Sequence, residues 1–120
     1  MAIAGTLSLA GVATIAIDQP LHGSRGYDLD GDGTDDLNAS SVSVTHYMNL
    51  ASLPTARDNL RQSVRDLLGL RLGLNALVDV TSTSSVDIDT SRVSIMGVSL
   101  GAITSVNSGA IAQRTMGGYV

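Results

Sequence analysis

The chain contains no Phe, Trp or Cys, and its only aromatic residues are three Tyr. A folded core must therefore be built almost entirely from aliphatic side chains. In a chain of 120 residues, this predicts one small domain with a thin core. The absence of Cys also excludes a disulfide scaffold and a thiolate metal site. Because 43% of the residues are hydrophobic and only 15% are charged, the composition is not that of a disordered chain.

The charge pattern argues against a nucleic-acid partner, and the uncharged start of the chain matches neither a signal peptide nor a membrane span. The formal net charge is -4, every acidic residue is Asp, and every basic residue is Arg. A negative chain without a basic cluster, and with few rings to stack on bases, predicts no nucleic-acid partner. The first 17 residues are uncharged, but they lack the basic start of a signal peptide and end at Asp18 before they could span a bilayer.

The hydrophobic pattern predicts an α/β fold. Two β-branched runs, at about 12–17 and 92–96, are typical of buried parallel strands. Helices are predicted at 3–10, at 55–72, where apolar residues recur on one face, and at 102–113. Strands that alternate with helices in this order indicate a parallel sheet with flanking helices.

A serine motif lies between the second predicted strand and the last predicted helix. Gly97-Val98-Ser99-Leu100-Gly101 matches the pattern G-x-S-x-G, which in this context marks a sharp turn that exposes a nucleophilic serine. Gly97 and Gly101 would remove Cβ atoms that crowd such a turn. The Leu100 N–H, at the start of a helix, would stabilise an oxyanion formed at Ser99. The alternative is an ordinary glycine-rich turn with a capping serine.

An Asp/Gly-rich segment begins at Asp28 and matches the first part of a calcium-binding loop. Acidic residues occur at relative positions 1, 3, 5 and 9, and Gly occurs at position 6, where such loops turn sharply. Position 12 departs from the pattern, because Ala39 replaces the bidentate Glu. The candidate ligands of a structural Ca²⁺ are Asp28, Asp30, Asp32 and Asp36. The alternative is a solvated turn that binds no ion.

Three stretches, 12–23, 56–67 and 89–101, together resemble the α/β-hydrolases, and within them the bacterial extracellular lipases and esterases. The first contains Asp18-Gln19-Pro20-Leu21-His22-Gly23, which is similar to the D-x-P-x-H-G segment that follows a strand in many of these enzymes. The resemblance implies that residues 1–120 form part of an α/β-hydrolase domain with an inserted loop at 28–38. It also implies hydrolysis of a carboxylic ester or lipid through an acyl-serine, without a required cofactor, outside the cell or at its surface. His22 and Gly23 would belong to a loop near the active site.

The chain departs from this family in its catalytic triad. The family order is Ser, then Asp or Glu, then His, but no acidic residue and no His follows Ser99. His22 and His46 both precede it. We therefore expect the triad acid and His to lie outside this chain, and the isolated chain to show little turnover. Two alternatives remain: a catalytically silent binding module, and a calcium-dependent structural module. Open sheet edges would favour a homo-oligomer.

Overall fold

A computed structural model describes residues 2–76, 79, 81–82, 87–115 and 119. Within these ranges the regular structure is helical. The α-helices are α1 (Ala2–Leu9), α2 (Leu53–Gly73) and α3 (Leu100–Thr115). Short 3₁₀ turns lie at Gly23–Arg25, Val44–His46 and Leu74–Ala76. The ends of the three α-helices lie within two residues of those predicted from the hydrophobic pattern.

The main helical contact joins α2 and α3. Pro54 lies in the first turn of α2, where a proline costs no internal hydrogen bond. On α3, the buried residues Thr104, Ser108 and Ala112 recur every four positions, so they share one face of the helix. Their small side chains allow a neighbouring element to approach closely.

Helix α1 stands apart from the other helices. Among the described residues, α1 packs against neither α2 nor α3. Its end is closed by hydrogen bonds from the N–H groups of Ala10 to the Leu7 carbonyl and of Gly11 to the Ser8 carbonyl, both 3.0 Å long. Gly11 has a φ of 74°, a left-handed conformation that suits glycine after a helix. No helix among the described residues has the length and hydrophobicity needed to cross a membrane.

The predicted α/β fold is wrong for the part of the chain that is described. Residues 12–19 and 93–98 contain no helix, turn or bend, but neither segment forms a strand. No hydrogen bond joins their backbones between described residues. The β-structure in the described ranges consists of one isolated antiparallel bridge between Tyr27 and Leu37. A β-branched run favours an extended backbone, but a strand also needs a paired neighbour, which residues 12–17 and 92–96 do not provide for each other.

The core is small, as the composition predicts. The buried hydrophobic side chains of the described residues are Ala39, Tyr47, Ala56 and Ala112. Tyr47 is almost fully buried, and its hydroxyl shares a 2.5 Å hydrogen bond with the Ser63 Oγ of α2. Burial raises the pKa of Tyr47. Many larger aliphatic side chains remain exposed, including Val12, Ile15, Met96, Val98, Ile103 and Val106.

Candidate functional site

The turn at Ser99 has a strained backbone. Ser99 has a φ of 54°, in the left-handed region that non-glycine residues rarely occupy. Its carbonyl accepts hydrogen bonds from the N–H groups of Ala102 and Ile103, so the turn leads directly into α3. The Ser99 side chain is exposed. Such a conformation costs about 1–3 kcal/mol and often marks a functional position, so it makes Ser99 a candidate reactive residue.

The Leu100 N–H is available as a hydrogen-bond donor. Leu100 is the first residue of α3, where backbone N–H groups have no partner within the helix. The next N–H, that of Gly101, already donates to the Val98 carbonyl at 2.9 Å. No described residue accepts a hydrogen bond from Leu100. The helix dipole and this free N–H together favour negative charge beside Ser99.

The two glycines of the motif have different surroundings. A Cβ at Gly97 would overlap the Gly101 carbonyl group and crowd the Ser105 Oγ. At Gly101, no atom of the described residues lies within 4 Å of the position that a Cβ would take. The need for a small residue therefore applies to Gly97 alone, which lets the chain turn tightly against the first turn of α3.

No described residue is placed as a base for Ser99. The His22 Nδ1 donates to the Pro20 carbonyl at 2.9 Å, and its ring packs edge-on against Tyr47 at 5.0 Å. The His46 Nδ1 accepts a hydrogen bond from the Asn38 N–H at 3.1 Å. The Ser99 hydroxyl forms no hydrogen bond within the described ranges. Both histidines therefore order the loop region, and neither is bonded to Ser99.

The loop that contains His22 and Gly23 is held by Asp18. The Asp18 carboxylate accepts hydrogen bonds from the Ser24 N–H at 3.0 Å and from the Ser24 Oγ at 2.9 Å. The first of these is the main reason why the pKa of Asp18 is lowered. Gly23 has a φ of 49°, and a Cβ there would meet the same carboxylate. An ion pair of 2.6 Å between Arg25 and Asp66 ties the loop to α2.

The Asp/Gly-rich loop brings three of its four predicted metal ligands together. Asp28, Asp30 and Asp36 each offer a carboxylate oxygen, and these three oxygens lie within 4.8 Å of one another. Asp32 is not part of this group, and its Oδ1 instead accepts a hydrogen bond from the Thr34 N–H at 2.7 Å. Ala39, at the position of the missing Glu, is buried. Three carboxylates at this separation form a candidate site for a hard cation such as Ca²⁺.

Backbone hydrogen bonds organise this loop around Asp28. Its two carboxylate oxygens accept from the N–H groups of Gly31 at 2.7 Å and Gly33 at 2.8 Å. These bonds, with that from Gly33 the strongest influence, lower the pKa of Asp28. Gly31 and Gly33 both have positive φ angles, which glycine adopts without strain. These hydrogen bonds therefore favour the ionised form of Asp28.

Asn38 is a central residue of the loop region that the sequence pattern did not reveal. Its side chain is buried, and Nδ2 donates to the Gly23 carbonyl at 2.9 Å and to the Asp35 carboxylate at 2.6 Å. Its Oδ1 accepts from the Ser40 N–H at 2.8 Å. Asn38 thus joins the Asp18 loop to the Asp/Gly-rich loop. An Asn in a polar loop follows no periodicity, so sequence reasoning had no signal for this role.

Comparisons with known proteins find no matching family model, no matching curated protein and no matching solved structure. The resemblance to the α/β-hydrolases is therefore wrong as an assignment of family and fold, since the described residues also contain no strand. Short motifs produced the resemblance, and a motif such as G-x-S-x-G specifies a turn more strongly than it specifies a whole fold.

Proposed function

We propose that the chain carries the nucleophile of a serine carboxylic-ester hydrolase, and that this nucleophile is Ser99. The proposal is supported by the left-handed backbone of Ser99, whose exposed side chain lies directly before α3. A strained residue persists only where the surrounding structure imposes it, and such residues cluster at reactive positions. The proposal rests on this local geometry and requires no particular fold.

The chemistry begins with attack of the Ser99 Oγ on the carbonyl carbon of an ester. The hydroxyl proton passes to a base, and the carbonyl oxygen becomes an oxyanion that accepts a hydrogen bond from the Leu100 N–H. The tetrahedral intermediate then expels the alcohol, which takes up a proton, and leaves the acyl group on Oγ. Water adds to this acyl-serine, releases the carboxylic acid and restores the hydroxyl.

In the chain alone, we expect acylation of Ser99 to be faster than complete turnover of the ester. A serine without an adjacent base is a weak nucleophile at neutral pH, and no described residue supplies that base. In the isolated chain, hydroxide in alkaline buffer must take the proton. Ser99 would then react faster than other exposed serines because the Leu100 N–H stabilises its oxyanion. In enzymes, removal of one such donor typically lowers the reaction rate by a factor of about 10²–10³.

A fluorophosphonate probe at alkaline pH tests this proposal, with the labelled residues identified by peptide mass spectrometry. We expect Ser99 to be labelled at least about tenfold faster than the exposed Ser41, since one oxyanion donor supplies a factor of that order or more. The Ser99→Ala variant should lose the fast labelling, and the matched variant Ser41→Ala should retain it. Equal rates at the two serines would contradict the proposal and favour a catalytically silent binding module.

A second candidate function is the binding of a structural Ca²⁺ by the Asp/Gly-rich loop. The observation that favours it is the convergence of the Asp28, Asp30 and Asp36 carboxylates within 4.8 Å. We propose that an ion there neutralises their mutual repulsion and orders the loop. Extracellular calcium modules bind in the range of about 10⁻⁴–10⁻³ M, so such a site would suit a protein outside the cell or at its surface.

A further inference from the structure

We propose that Asp30 and Asp32 are sites of spontaneous isomerisation to isoaspartate, and that the Asp28 carboxylate protects both of them in the folded chain. These are the two Asp residues of the sequence that are followed directly by glycine. Both Asp-Gly pairs are exposed, so water reaches them. The proposal concerns the chemistry of the chain itself, and it depends neither on the candidate nucleophile nor on a bound ion.

Isomerisation of an Asp-Gly pair takes two steps. The glycine nitrogen first bonds to the carboxyl carbon of the Asp side chain in its acid form. The nitrogen gives up its proton and the carboxyl group its hydroxyl, which leave together as water, and a five-membered succinimide ring remains. Water then opens the ring at the former main-chain carbonyl, so the main chain now runs through the side chain. Glycine permits the attack because it has no Cβ to obstruct it.

The structure holds both attacking nitrogens on one carboxylate. The Gly31 N–H donates to the Asp28 Oδ1 at 2.7 Å, and the Gly33 N–H donates to the Asp28 Oδ2 at 2.8 Å. Hydrogen bonds to an ionised group are among the stronger kinds. Each nitrogen must lose its proton to attack, because its lone pair is delocalised in the peptide bond. A negative charge that binds this proton therefore slows the first step.

The rest of the loop also restricts the two reactive pairs. The Asp30 Oδ1 accepts from the Asp32 N–H at 3.2 Å, and the Asp32 Oδ1 accepts from the Thr34 N–H at 2.7 Å. The ends of the loop are joined by the bridge between Tyr27 and Leu37. The loop must therefore open locally before a glycine nitrogen can turn toward its carboxyl carbon.

Asp36 provides a comparison within the same loop. Its Oδ2 accepts from the Leu29 N–H at 2.8 Å, so this carboxylate also ties down the loop backbone. The Leu29 nitrogen belongs to neither Asp-Gly pair. If general rigidity of the loop gave the protection, Asp36 would contribute as much as Asp28. If the bonds to the two glycine nitrogens give it, Asp28 alone has the larger effect.

Prolonged incubation of the whole chain at neutral pH, with a chelator present, tests the proposal. Peptide mass spectrometry with electron-transfer fragmentation measures isoaspartate at Asp30 and at Asp32. The same chain unfolded in denaturant gives the unprotected rates. We expect both residues to isomerise at least about tenfold more slowly in the folded chain, the factor expected when one charge-assisted hydrogen bond must open before each attack.

Substitutions at the two carboxylates identify the source of the protection. Asp28→Ala should restore most of the unprotected rate at both sites, and the matched variant Asp36→Ala should retain the slow rate. Asp28→Asn keeps one acceptor oxygen without the charge, so it should give intermediate rates. A circular dichroism spectrum like that of the unsubstituted chain shows that each variant is folded.

Three results would overturn the proposal. Equal rates in the folded and unfolded chain would show that the loop gives no protection. Rates in Asp28→Ala and Asp28→Asn no higher than in the unsubstituted chain would show that the bonds to Asp28 are not its source. Equal acceleration by Asp36→Ala would assign the protection to general rigidity of the loop.

Discussion

Gly97 lies so close to the Gly101 carbonyl group that the structure leaves no room for a side chain at residue 97. This contact brings the end of the extended segment 93–98 against the first turn of α3, and Ser99 lies at the apex of the turn between them. Gly101 itself faces open space. The geometry of the candidate nucleophile therefore depends on one of the two glycines in the motif.

Alanine substitutions at the two glycines should have opposite effects on stability. Gly97→Ala must displace the first turn of α3, and overpacking of this kind costs about 1–3 kcal/mol. Gly101→Ala adds a good helix former in open space, and it should stabilise the chain by about 0.5–1 kcal/mol. Urea denaturation measures both changes. If the two variants lose stability equally, the assigned contact is wrong.

The strained backbone of Ser99 predicts that glycine stabilises this position. Glycine adopts positive φ angles without steric cost, whereas alanine does not. Ser99→Gly should therefore unfold at higher urea concentration than Ser99→Ala, with a difference of about 1 kcal/mol in the free energy of unfolding. Both variants lack the hydroxyl, so the comparison isolates the backbone. An Ala variant as stable as the Gly variant would show that φ is not strained here.

The buried hydrogen bond between Tyr47 and Ser63 should contribute measurably to stability. Tyr47→Phe removes the phenolic oxygen and leaves the buried Ser63 hydroxyl without its partner, at a cost of about 1–3 kcal/mol. Tyr27→Phe, at an exposed ring, serves as the control and should change stability by less than about 0.5 kcal/mol. Thermal unfolding measures both. A Tyr47→Phe effect no larger than that of the control would show that this bond stabilises nothing.

The calcium proposal predicts that substitutions at two nearby carboxylates have different effects on Ca²⁺ binding. Asp30 belongs to the convergent group and Asp32 does not, although each accepts one local backbone hydrogen bond. Isothermal calorimetry should show Ca²⁺ binding in the range of about 10⁻⁴–10⁻³ M, abolished by Asp30→Asn and largely retained by Asp32→Asn. If the unsubstituted chain gives no heat at millimolar Ca²⁺, the loop is a solvated turn.

The helices could be predicted from the sequence, but the sheet could not. Apolar residues such as Leu60 and Val64 recur on one face of α2, and helical hydrogen bonds are local, so the pattern alone specifies the element. A strand depends on a partner elsewhere. The residues at 12–17 favour an extended backbone, but nothing within them specifies what they pair with.

The candidate site was predictable where it depends on local turns. The G-x-S-x-G pattern correctly indicated a tight turn before a helix, and the spacing of Asp28 and Asp30 brought their carboxylates together. The buried network of Asn38 was not predictable, because its partners Gly23 and Asp35 are joined by loop geometry without periodicity. No sequence pattern predicted the burial of Arg71 on α2, since a basic residue in the last turn of a helix is usually exposed.

The most direct test of the central claim is acyl transfer to Ser99 from p-nitrophenyl acetate, followed by intact and peptide mass spectrometry. We predict that one acetyl group accumulates on Ser99 and that steady release of p-nitrophenol is slow, because no described residue supplies the base that deacylation needs. The Ser99→Ala variant should take up no comparable acetyl group. Acetyl groups spread evenly over the exposed serines, or equal acetylation of the Ser99→Ala variant, would contradict the assignment of Ser99 as the nucleophile.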